Sequence, residues 1–507
     1  MSEAKNTPKA ALENTRLKDI VAHAKEYGFV FQSSEIYDGL QAVYDYGPNG
    51  VELKNNLKRL WWEAMTQLHG NVVGIDAAIF MAPQTWVASG HVAGFNDPLI
   101  DNLDSKKRYR ADVLLEERAA EYETAGDPAR GAALTAEMGR RLTDSDLSGV
   151  RQLILDEGIK CPVSGTGNWT EVRQFNLMFS TQVGSVEGES TQIYLRPETA
   201  QGIFVNFLNV QKSARMKIPF GIAQIGKAFR NEIVARQFIF RMREFEQMEM
   251  QFFVRPGTEG EWYESWKASR RAWHEALGLP AAKLRFHDHD KLAHYAKAAV
   301  DIEYEFPFGF KEMEGIHSRG DFDLTQHQNL SRKKQQYFDN DIDEATGKAY
   351  GNYVPFVVET SVGADRLFLA TLCQAYAEET ITEGEGEAQQ TKQRTVLRLH
   401  PAVAPIKAAI FPLVRKDGMP EKAQQIFNEL RYDFRVLIEE RDAIGKRYTR
   451  QDLIGTPFCI VVDGQTLEDD TVTVRHRDSR EQTRMAISAL RGYIGEAVSF
   501  KRIFERL

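Results

Sequence analysis

Two β-type runs joined by a loop occupy residues 228–253, which read AFRNEIVARQFIFRMREFEQMEMQFF. Because alternate residues of a strand share one face, Arg230 and Glu232 should point the same way. One face of the returning strand then receives five further side chains: Arg241, Arg243, Phe245, Gln247 and Glu249. Two antiparallel strands would thus present arginines, an aromatic ring and carboxylates together.

This combination suits a bound nucleotide and an amine. Arginines can hold a triphosphate, Phe245 offers a ring for a stacked base, and Glu249 can hold an ammonium group. The same alternation also fits a solvated antiparallel face that carries cross-strand salt bridges. The residues of this segment leave both interpretations open.

Length and composition bound the class of protein. The chain has 507 residues, which predicts two or three domains because single cores stop growing at roughly 250–300 residues. No run approaches the ~18 apolar residues of a membrane-spanning helix, and the N-terminus lacks the apolar core of a secretory signal. The cysteines lie far apart, at Cys161, Cys373 and Cys459. This spacing excludes a disulfide scaffold and predicts a reducing, cytoplasmic compartment.

The formal net charge of −8 argues against a nucleic-acid binder until it is divided along the chain. Residues 391–507 hold 21 Lys and Arg against 16 Asp and Glu, a net charge of +5. The residues before them hold 43 basic and 56 acidic side chains, a net charge of −13. An acidic body with a basic tail predicts a functional asymmetry, although chance composition is the alternative.

Composition also marks candidate boundaries and insertions. Residues 378–393, EETITEGEGEAQQTKQ, are polar and free of aromatics, which is typical of a linker. Helix-forming residues around a break at 126–128 (Gly-Asp-Pro) predict a helical hairpin in an insertion at about 112–160. A second insertion, at about 256–305, contains the amphipathic run EWYESWKASRRAWHEALG.

The spacing of apolar residues along the chain predicts where helices and strands lie. Apolar residues of segment 49–68, including Leu53, Leu57 and Trp61, recur on one helical face. The β-type runs lie at 191–196, 222–232, 243–254, 354–360 and 458–474. Strand blocks separated by helical insertions predict an α+β body rather than regular βαβ winding.

The segment 228–253 resembles motif 2 of the class II aminoacyl-tRNA synthetases, in its glycyl-tRNA synthetase form. Four further stretches resemble signatures of that family and follow the family's order. They are motif 1 at 44–65 (YDYGPNGVELKNNLKRLWWEAM), a glycyl-type signature at 195–207 (LRPETAQGIFVNF), motif 3 at 355–372 (PFVVETSVGADRLFLATL), and part of the anticodon-binding domain at 455–484 (GTPFCIVVDGQTLEDDTVTVRHRDSREQTR). A chance match of five ordered motifs is negligible.

The resemblance implies a class II catalytic domain over residues 1–390, an antiparallel β-sheet flanked by helices and interrupted by the insertions. An α/β anticodon-binding domain would follow over residues 391–507. The implied activity is that of a glycine–tRNA ligase, which forms carbon–oxygen bonds and converts ATP to AMP and pyrophosphate. The implied partners are ATP, glycine, tRNA(Gly) and a second copy of the chain, with no membrane. The apolar face of motif 1 would suit the homodimer interface.

The resemblance also implies an ATP site. Arg230 would contact the α-phosphate and Arg366 the γ-phosphate, as the two catalytic residues, while Phe245 would stack on adenine. The implied ATP contacts are Arg230, Asn231, Glu232, Phe240, Arg241, Met242, Arg243, Glu244, Phe245, Glu312, Met313, Gly363, Ala364, Asp365 and Arg366. A helix N-terminus beside an arginine is a ready anion site, although the Asp-Arg pair of motif 3 also fits a simple cap and salt bridge.

The implied glycine pocket is unusually acidic. Its residues would be Arg110, Glu198, Phe245, Glu246, Gln247, Met248, Glu249, Glu359, Thr360, Ser361, Val362 and Gly363. The carboxylates of Glu198, Glu249 and Glu359 would repel one another unless a cation joins them, and the α-ammonium of glycine is that cation. Such walls leave no room for the methyl group of alanine. Arg110 would hold the glycine carboxylate, or else be a surface arginine.

Metal ligands are expected at one position. Glu312 is the candidate for a Mg²⁺ ion that bridges the ATP phosphates, with a structural acid paired with Lys311 as the alternative. No structural zinc is expected, because Cys161 alone remains where some relatives carry a zinc site and Ser164 replaces a second cysteine. A further group looks like a metal cluster but is expected to be a solvated surface: His287, Asp288, His289, Asp290 and His294.

The tail carries basic residues at 445–450 (GKRYTR) and 475–480 (RHRDSR), beside Tyr448 and His476. They suit phosphate contacts and base stacking in RNA, or form an ordinary charged surface. Two other functions remain open: another class IIa synthetase, and a synthetase-like accessory protein without catalysis. The RPETAQG signature and the three acids disfavour the first. The intact arginines of motifs 2 and 3 disfavour the second.

Overall fold

The computed structural model describes residues 9–184, 191–233, 237–289, 292, 296–383 and 390–507. None of the helices in these ranges is both long enough and apolar enough to cross a bilayer.

The strands of the described ranges are numbered in chain order. They are β1 (Val30–Gln32), β2 (Tyr44–Tyr46), β3 (Val72–Gly74), β4 (Asn96–Asn102), β5 (Lys107–Arg110), β6 (Arg173–Asn176), β7 (Ser180–Val183), β8 (Thr191–Tyr194), β9 (Phe220–Phe229), β10 (Glu244–Val254), β11 (Leu284–Asp288), β12 (Ala298–Phe306), β13 (Gly309–Gly320), β14 (Tyr337–Asp343), β15 (Lys348–Tyr353), β16 (Phe356–Gly363), β17 (Tyr376–Glu383), β18 (Gln390–Leu397), β19 (Ala408–Pro412), β20 (Val436–Ile438), β21 (Phe458–Val462), β22 (Thr471–His476) and β23 (Gln482–Ala486).

The α-helices are numbered in the same way. They are α1 (Lys9–Glu26), α2 (Pro48–Thr66), α3 (Pro83–Ala88), α4 (His91–Gly94), α5 (Ala111–Thr124), α6 (Pro128–Thr143), α7 (Leu147–Asp156), α8 (Ala200–Val205), α9 (Phe207–Ser213), α10 (Glu259–Leu277), α11 (Phe322–Ser331), α12 (Ala364–Ala375), α13 (Met419–Leu430), α14 (Ile444–Ile454), α15 (Gly464–Asp469), α16 (Leu490–Val498) and α17 (Lys501–Phe504).

A seven-stranded sheet forms the centre of the body, in the order β11-β12-β13-β16-β10-β9-β3. All neighbours are antiparallel except β3 and β9. Strand alternation sorts the side chains of β10. Met248 and Met250 are buried in the main core, so Gln247 and Glu249 lie on the other face of the sheet. The predicted α+β fold is confirmed.

Helix α2 corresponds to motif 1 and begins at Pro48, whose fixed φ suits the first helical position. At Gly50 an added Cβ would lie 1.8 Å from the carbonyl oxygen of Phe29, so this close approach requires glycine. The apolar face of α2 was expected to form a dimer interface. That expectation is wrong, because Leu53, Leu57 and Trp61 are completely buried in the core of their own chain.

The helical hairpin predicted within 112–160 is confirmed. Helices α5 and α6 are separated at the expected break, where the Asp127 side chain accepts a hydrogen bond from the backbone N–H of Arg130 and Pro128 occupies the first turn. With α7 and the β5-β4-β6 sheet they enclose a core of their own. The second predicted insertion, 256–305, differs from expectation. It contributes β11 and most of β12 to the central sheet, so this part of the segment belongs to the body.

The C-terminal part holds a five-stranded mixed sheet in the order β20-β19-β21-β22-β23, covered by helices. This agrees with the predicted α/β tail domain. The segment 378–393 was expected to be a linker, but its described residues belong to the hairpin of β17 and β18. The run Thr380-Ile381-Thr382 is β-branched throughout, and such residues favour a strand despite the polar composition of the segment. Residues 384–389 lie outside the described ranges.

Candidate active site

A cleft of about 110 Å³ opens on the face of the sheet that carries Gln247. It lies where β9, β10, β13 and β16 meet the first turn of α12. Its walls are formed by Arg230, Glu232, Ile239, Phe240, Arg241, Met242, Phe245, Glu246, Gln247, Glu312, Ser361, Gly363, Asp365 and Arg366. The tertiary structure therefore brings together residues from three segments that the sequence singled out separately.

Arg230 lies directly after β9 on one side of the cleft. Its Nε donates a hydrogen bond to the carbonyl oxygen of Pro197 over 3.1 Å. Its guanidinium carbon lies 5.2 Å from the ring centroid of Phe245 and 5.4 Å from that of Phe95. The positive charge is thus held between two rings, with N–H groups left to meet an anion.

Arg366 lies in the first turn of α12, on the other side of the cleft. Its Nη1 contacts a carboxylate oxygen of Glu312 at 2.9 Å, and its guanidinium carbon lies 4.5 Å from the centroid of Phe240. The positive charge of Arg366 lowers the pKa of Glu312. An ionised carboxylate, two arginines and a helix N-terminus therefore meet in one cleft, which is suited to a phosphate chain and a cation.

The charged side chains between β9 and β10 have different neighbours. Arg241 reaches the cleft, where its Nη1 lies 3.9 Å from a carboxylate oxygen of Glu232. Arg243 instead donates to the backbone carbonyl oxygens of Glu232 and Gln41. Glu244 pairs with Lys227 of β9. The last two side chains hold the loop to its neighbours.

A buried ion cluster locks the three motif segments together. The Nζ of Lys54, on α2, lies 2.6 Å from Asp365 Oδ1 on α12 and 2.7 Å from Glu246 Oε2 on β10. Tyr46 donates its hydroxyl to the same Oδ1, and the backbone N–H of Glu246 donates to Asp365 Oδ2. The helix turn that carries Arg366 is therefore fixed relative to the strand that carries Phe245.

The predicted acidic pocket lies deeper on the same face of the sheet. Glu198, Glu249 and Glu359 are joined there through neutral and cationic side chains. The amide nitrogen of Gln251 donates to Glu249 Oε1 and to Glu359 Oε2, at 2.6 Å in both cases. Thr199, the neighbour of Glu198, donates its hydroxyl to the other oxygen of Glu249.

Two of the three carboxylates have basic side chains as partners. Arg319 Nη1 lies 2.9 Å from Glu359 Oε2, and the Nδ1 of His317 lies 2.7 Å from Glu359 Oε1. His91 Nε2 lies 3.3 Å from Glu198 Oε2. Burial opposes ionisation at both acids, but these partners outweigh it, so the pKa of Glu198 and the pKa of Glu359 are lowered.

Glu249 is the exception. Burial and the charges of Glu359 and Glu198 raise its pKa well above the ordinary value. The pocket therefore favours ionisation of Glu198 and Glu359 and opposes a third negative charge at Glu249.

Some predicted site residues point away from the cleft. Met248, Thr360 and Val362 are completely buried on the opposite face of the sheet, because they alternate with the facing residues. Met313 and Ala364 are also buried in the main core. Only the backbone of these residues can take part in binding.

Two acids hold the guanidinium group of Arg110: its Nη1 lies 3.1 Å from Asp97 and its Nη2 lies 2.6 Å from Asp112. Asn231 is anchored by a backbone hydrogen bond to Leu177. The assignment of Arg110 to the glycine carboxylate stays a prediction, as do the other residue roles.

Four pocket residues were missed by sequence reasoning: His91, Gln251, His317 and Arg319. Arg319 donates to Asp323 over 2.8 Å and 3.0 Å as well as to Glu359. The only sequence signal was the Arg-Gly-Asp-Phe-Asp run, which places Arg319 four residues before Asp323. Their pairing with the acids depends on strand register, which spacing along the chain does not reveal.

Two metal-related predictions concern other parts of the chain. The Sγ of Cys161 lies 3.2 Å from Ser105 Oγ and 3.1 Å from the hydroxyl of Tyr109. Asp290 and His294, of the histidine-rich run, lie outside the described residues. His287 is 55% exposed at the sheet edge, as a solvated surface requires, whereas His289 turns toward Asp301 at 2.9 Å.

Three arginines of the two basic runs in the tail differ from expectation. Arg447, Arg475 and Arg477 are buried. Arg447 donates to backbone carbonyl oxygens, Arg475 binds Asp452, and Arg477 donates to the carbonyl oxygens of Leu399 and Gly455. They stabilise the domain and cannot contact RNA phosphates in this arrangement.

Three segments of the chain match models of known protein families. Residues 184–375 match the tRNA synthetase class II core domain (G, H, P, S and T). Residues 97–132 and 127–177 match the glycyl-tRNA synthetase insertion domain 1, and residues 407–497 match the anticodon binding domain.

The chain is also similar to curated proteins over nearly its full length. The glycine–tRNA ligase of Chlorobaculum tepidum is 53% identical over 474 residues, which cover 93% of this chain and 98% of that protein. The glycine–tRNA ligase of Macrococcus caseolyticus is 51% identical, with coverages of 96% and 99%. That of Borreliella burgdorferi is 50% identical, with coverages of 97% and 100%.

The buried ion cluster predicts unequal roles for two lysines of α2. Lys54→Met leaves Asp365 and Glu246 without their buried cation and should lower the free energy of unfolding by about 3–5 kcal/mol. Lys58, which is 24% exposed and contacts Glu246 alone, provides the matched control. Lys58→Met should cost less than about 1 kcal/mol. Urea denaturation measures both, and equal losses would contradict the role given to Lys54.

The raised pKa of Glu249 predicts a pH-dependent stability. A carboxyl group with a raised pKa in the folded state costs stability as the pH rises above its unfolded value, because the folded state resists losing the proton. Glu249→Gln mimics the neutral form. Without substrates, the variant should therefore resist urea better than the parent chain at about pH 7, and the difference should vanish near pH 4.

The control for this experiment is Glu429→Gln, on an exposed face of α13. It should leave the difference from the parent chain independent of pH. A constant difference for Glu249→Gln across the same range would exclude a neutral Glu249.

Proposed function

The chain belongs to the glycine–tRNA ligase family of class II aminoacyl-tRNA synthetases, and on this premise we propose that it activates glycine with ATP and transfers the glycyl group to tRNA(Gly). The observation that carries the proposal is the pocket of Glu198, Glu249 and Glu359 beside a cleft with two arginines. One side binds a small ammonium compound and the other a phosphate chain, which are the two substrates of amino-acid activation.

Glycine enters the proposal as the missing cation. Its α-ammonium replaces the positive charge that Glu249 lacks, and it thereby favours the ionised form of that carboxyl group. Glu359 and Ser361 of β16 and Gln247 of β10 complete the walls. Glycine has no side chain to hold, so in this proposal specificity comes from charged walls that exclude larger amino acids.

ATP occupies the neighbouring cleft. Arg230 contacts the α-phosphate, Arg366 contacts the γ-phosphate and Phe245 stacks on adenine. The glycine carboxylate attacks the α-phosphorus, the bond to the bridging oxygen of pyrophosphate breaks, and glycyl-adenylate forms. The arginines stabilise the charge that develops on the phosphates, and no covalent enzyme nucleophile takes part.

A magnesium ion fits beside this cleft. The Glu312 side chain is 49% exposed, its pKa is lowered, and carboxylate oxygen is a ligand that Mg²⁺ prefers. Glu312 would hold the ion. When bound, magnesium neutralises phosphate charge and orients the phosphate chain.

The second step uses tRNA. The 3′-hydroxyl of the terminal adenosine attacks the carbonyl carbon of glycyl-adenylate, and AMP leaves. The tail domain would read the anticodon. With Arg447, Arg475 and Arg477 buried, we assign phosphate contacts to exposed basic residues of the domain: Arg415, Lys416, Arg441 and Lys446.

The working unit in this proposal is a cytoplasmic homodimer. Because the apolar face of α2 is used inside the chain, the dimer contact needs another apolar surface. Ile36, Tyr37 and Leu40, in the turn before β2, are 87%, 79% and 53% exposed and provide one. The buried, unpaired state of all three cysteines suits a reducing compartment.

Amino-acid-dependent exchange of pyrophosphate into ATP tests the function. Of the twenty amino acids, glycine alone should support exchange, because the acidic walls exclude any side chain. Exchange with a different amino acid would refute glycine specificity and favour another class IIa synthetase. Absence of exchange with all twenty would favour a non-catalytic accessory protein.

Arg230→Ala tests the role of the motif 2 arginine. Loss of one preorganised charge at the α-phosphate should lower glycine-dependent exchange at least about 100-fold and leave the unfolding transition intact. Arg173→Ala, which removes a 68% exposed arginine of β6, should retain the parent rate. Near-normal exchange in Arg230→Ala would refute the assignment.

A further inference from the structure

We propose that His289, Asp301 and His317 form a binding site for a divalent transition-metal ion of the zinc type. One ligand atom from each of the three residues lies within 4.8 Å of the other two. They come from neighbouring positions in the sheet: directly after β11, on β12 and on β13. The donor set of two imidazoles and one carboxylate is the one that open zinc sites use, with room for a water molecule in the fourth position.

The orientation of the side chains supports an ion between them. His289 Nε2 lies 2.9 Å from Asp301 Oδ2. The other oxygen, Asp301 Oδ1, faces the same small space as His317 Nε2 above Gly315. A bound ion at about 2.0–2.2 Å from each ligand would require only side-chain movements to draw the three together.

Gly315 leaves this space open. A Cβ added to Gly315 would lie 3.1 Å from both Nε2 and Cε1 of His317, and 3.6 Å from Asp301 Oδ1. Its φ is not in the left-handed region, so backbone conformation does not explain the glycine. The space that glycine leaves between the donor atoms of His317 and Asp301 explains its presence here.

A second contact fixes the orientation of one ligand. His317 Nδ1 lies 2.7 Å from Glu359 Oε1. A metal-bound histidine commonly donates its other ring N–H to a carboxylate, which sets the tautomer and directs the free nitrogen to the ion. The three side chains are 34%, 13% and 18% exposed in the order His289, Asp301 and His317, so an ion can enter from solvent.

The metal would also act on the acidic pocket. An ion on Nε2 of His317 fixes Nδ1–H as the donor to Glu359 and so positions that carboxylate. This consequence rests on the proposed function, because Glu359 is there a wall of the glycine pocket. The inferred ion is distinct from the magnesium proposed at Glu312, since imidazole nitrogen favours zinc-type ions over Mg²⁺.

Direct binding tests the site without relying on activity. The untagged full chain, freed of metals with a chelator, is titrated with Zn²⁺ by calorimetry, and Co²⁺ binding is followed by its visible absorption. One ion per chain should bind. His289→Ala and the isosteric Asp301→Asn should each weaken this binding at least about 100-fold, because each removes one of three ligands.

The matched control is His287→Ala, which removes a neighbouring, more exposed histidine of β11. It should bind Zn²⁺ as the parent chain does. Absence of a stoichiometric ion, or equal binding by His289→Ala and His287→Ala, would overturn the proposal. The second variant, Asp301→Asn, keeps the test valid if His289→Ala fails to fold.

The effect on the pocket is measured separately. With Mg²⁺ present throughout, adding Zn²⁺ to the metal-free chain should lower the KM for glycine in pyrophosphate exchange about threefold or more and leave kcat nearly unchanged, and His289→Ala should abolish this change. An unchanged KM despite stoichiometric binding would overturn the link to Glu359. Absence of any exchange with or without Zn²⁺ would count against the proposed function instead, while the binding data stand.

Discussion

Repulsion among three neighbouring carboxylates is the constraint around which the pocket is organised. Glu198, Glu249 and Glu359 share a space too small for three uncompensated charges. Despite burial, Arg319 and hydrogen bonds from neighbouring side chains lower the pKa of Glu198 and of Glu359, whereas burial and the charges of these two acids raise the pKa of Glu249. A further cation bound beside Glu249 would favour the ionised form of this carboxyl group. The α-ammonium of glycine, the proposed substrate, is a cation of this kind and adds little bulk.

The second requirement is that the acidic pocket and the cleft with the two arginines keep a fixed separation. Lys54 meets it from a helix far away in sequence, since one ammonium group bridges Asp365 and Glu246. Broken buried ion pairs are costly, so the arrangement has few alternatives. The motif 2 strand and the motif 3 helix are therefore held as one rigid frame, on which Arg230 and Arg366 face each other across the cleft.

Sequence reasoning succeeded where information is local. Strand alternation correctly placed Phe245, Gln247 and Glu249 on one face, and the Gly-Asp-Pro break correctly divided α5 from α6. It failed where an alternative use of the same pattern existed. The apolar face of α2 was equally suited to contact a partner or to pack in the core. The arginines of the tail were equally suited to bind RNA or to donate to buried carbonyl oxygens. Composition does not distinguish these uses, because each satisfies the same hydrophobic or hydrogen-bonding requirement.

The sequence by itself determined the family, the order of the motifs, the main secondary-structure elements and the acidic character of the pocket. These properties follow from residues that are neighbours in the chain. The spacing of their apolar members indicates helix or strand, and their polar side chains indicate the kind of site. Only the tertiary structure decided which charges meet. The pairings of Glu359 with Arg319, of Lys54 with Asp365, and of His289 with Asp301 and His317 join residues on different elements. They depend on strand register and helix packing, which arise from the burial of the whole core rather than from any single segment.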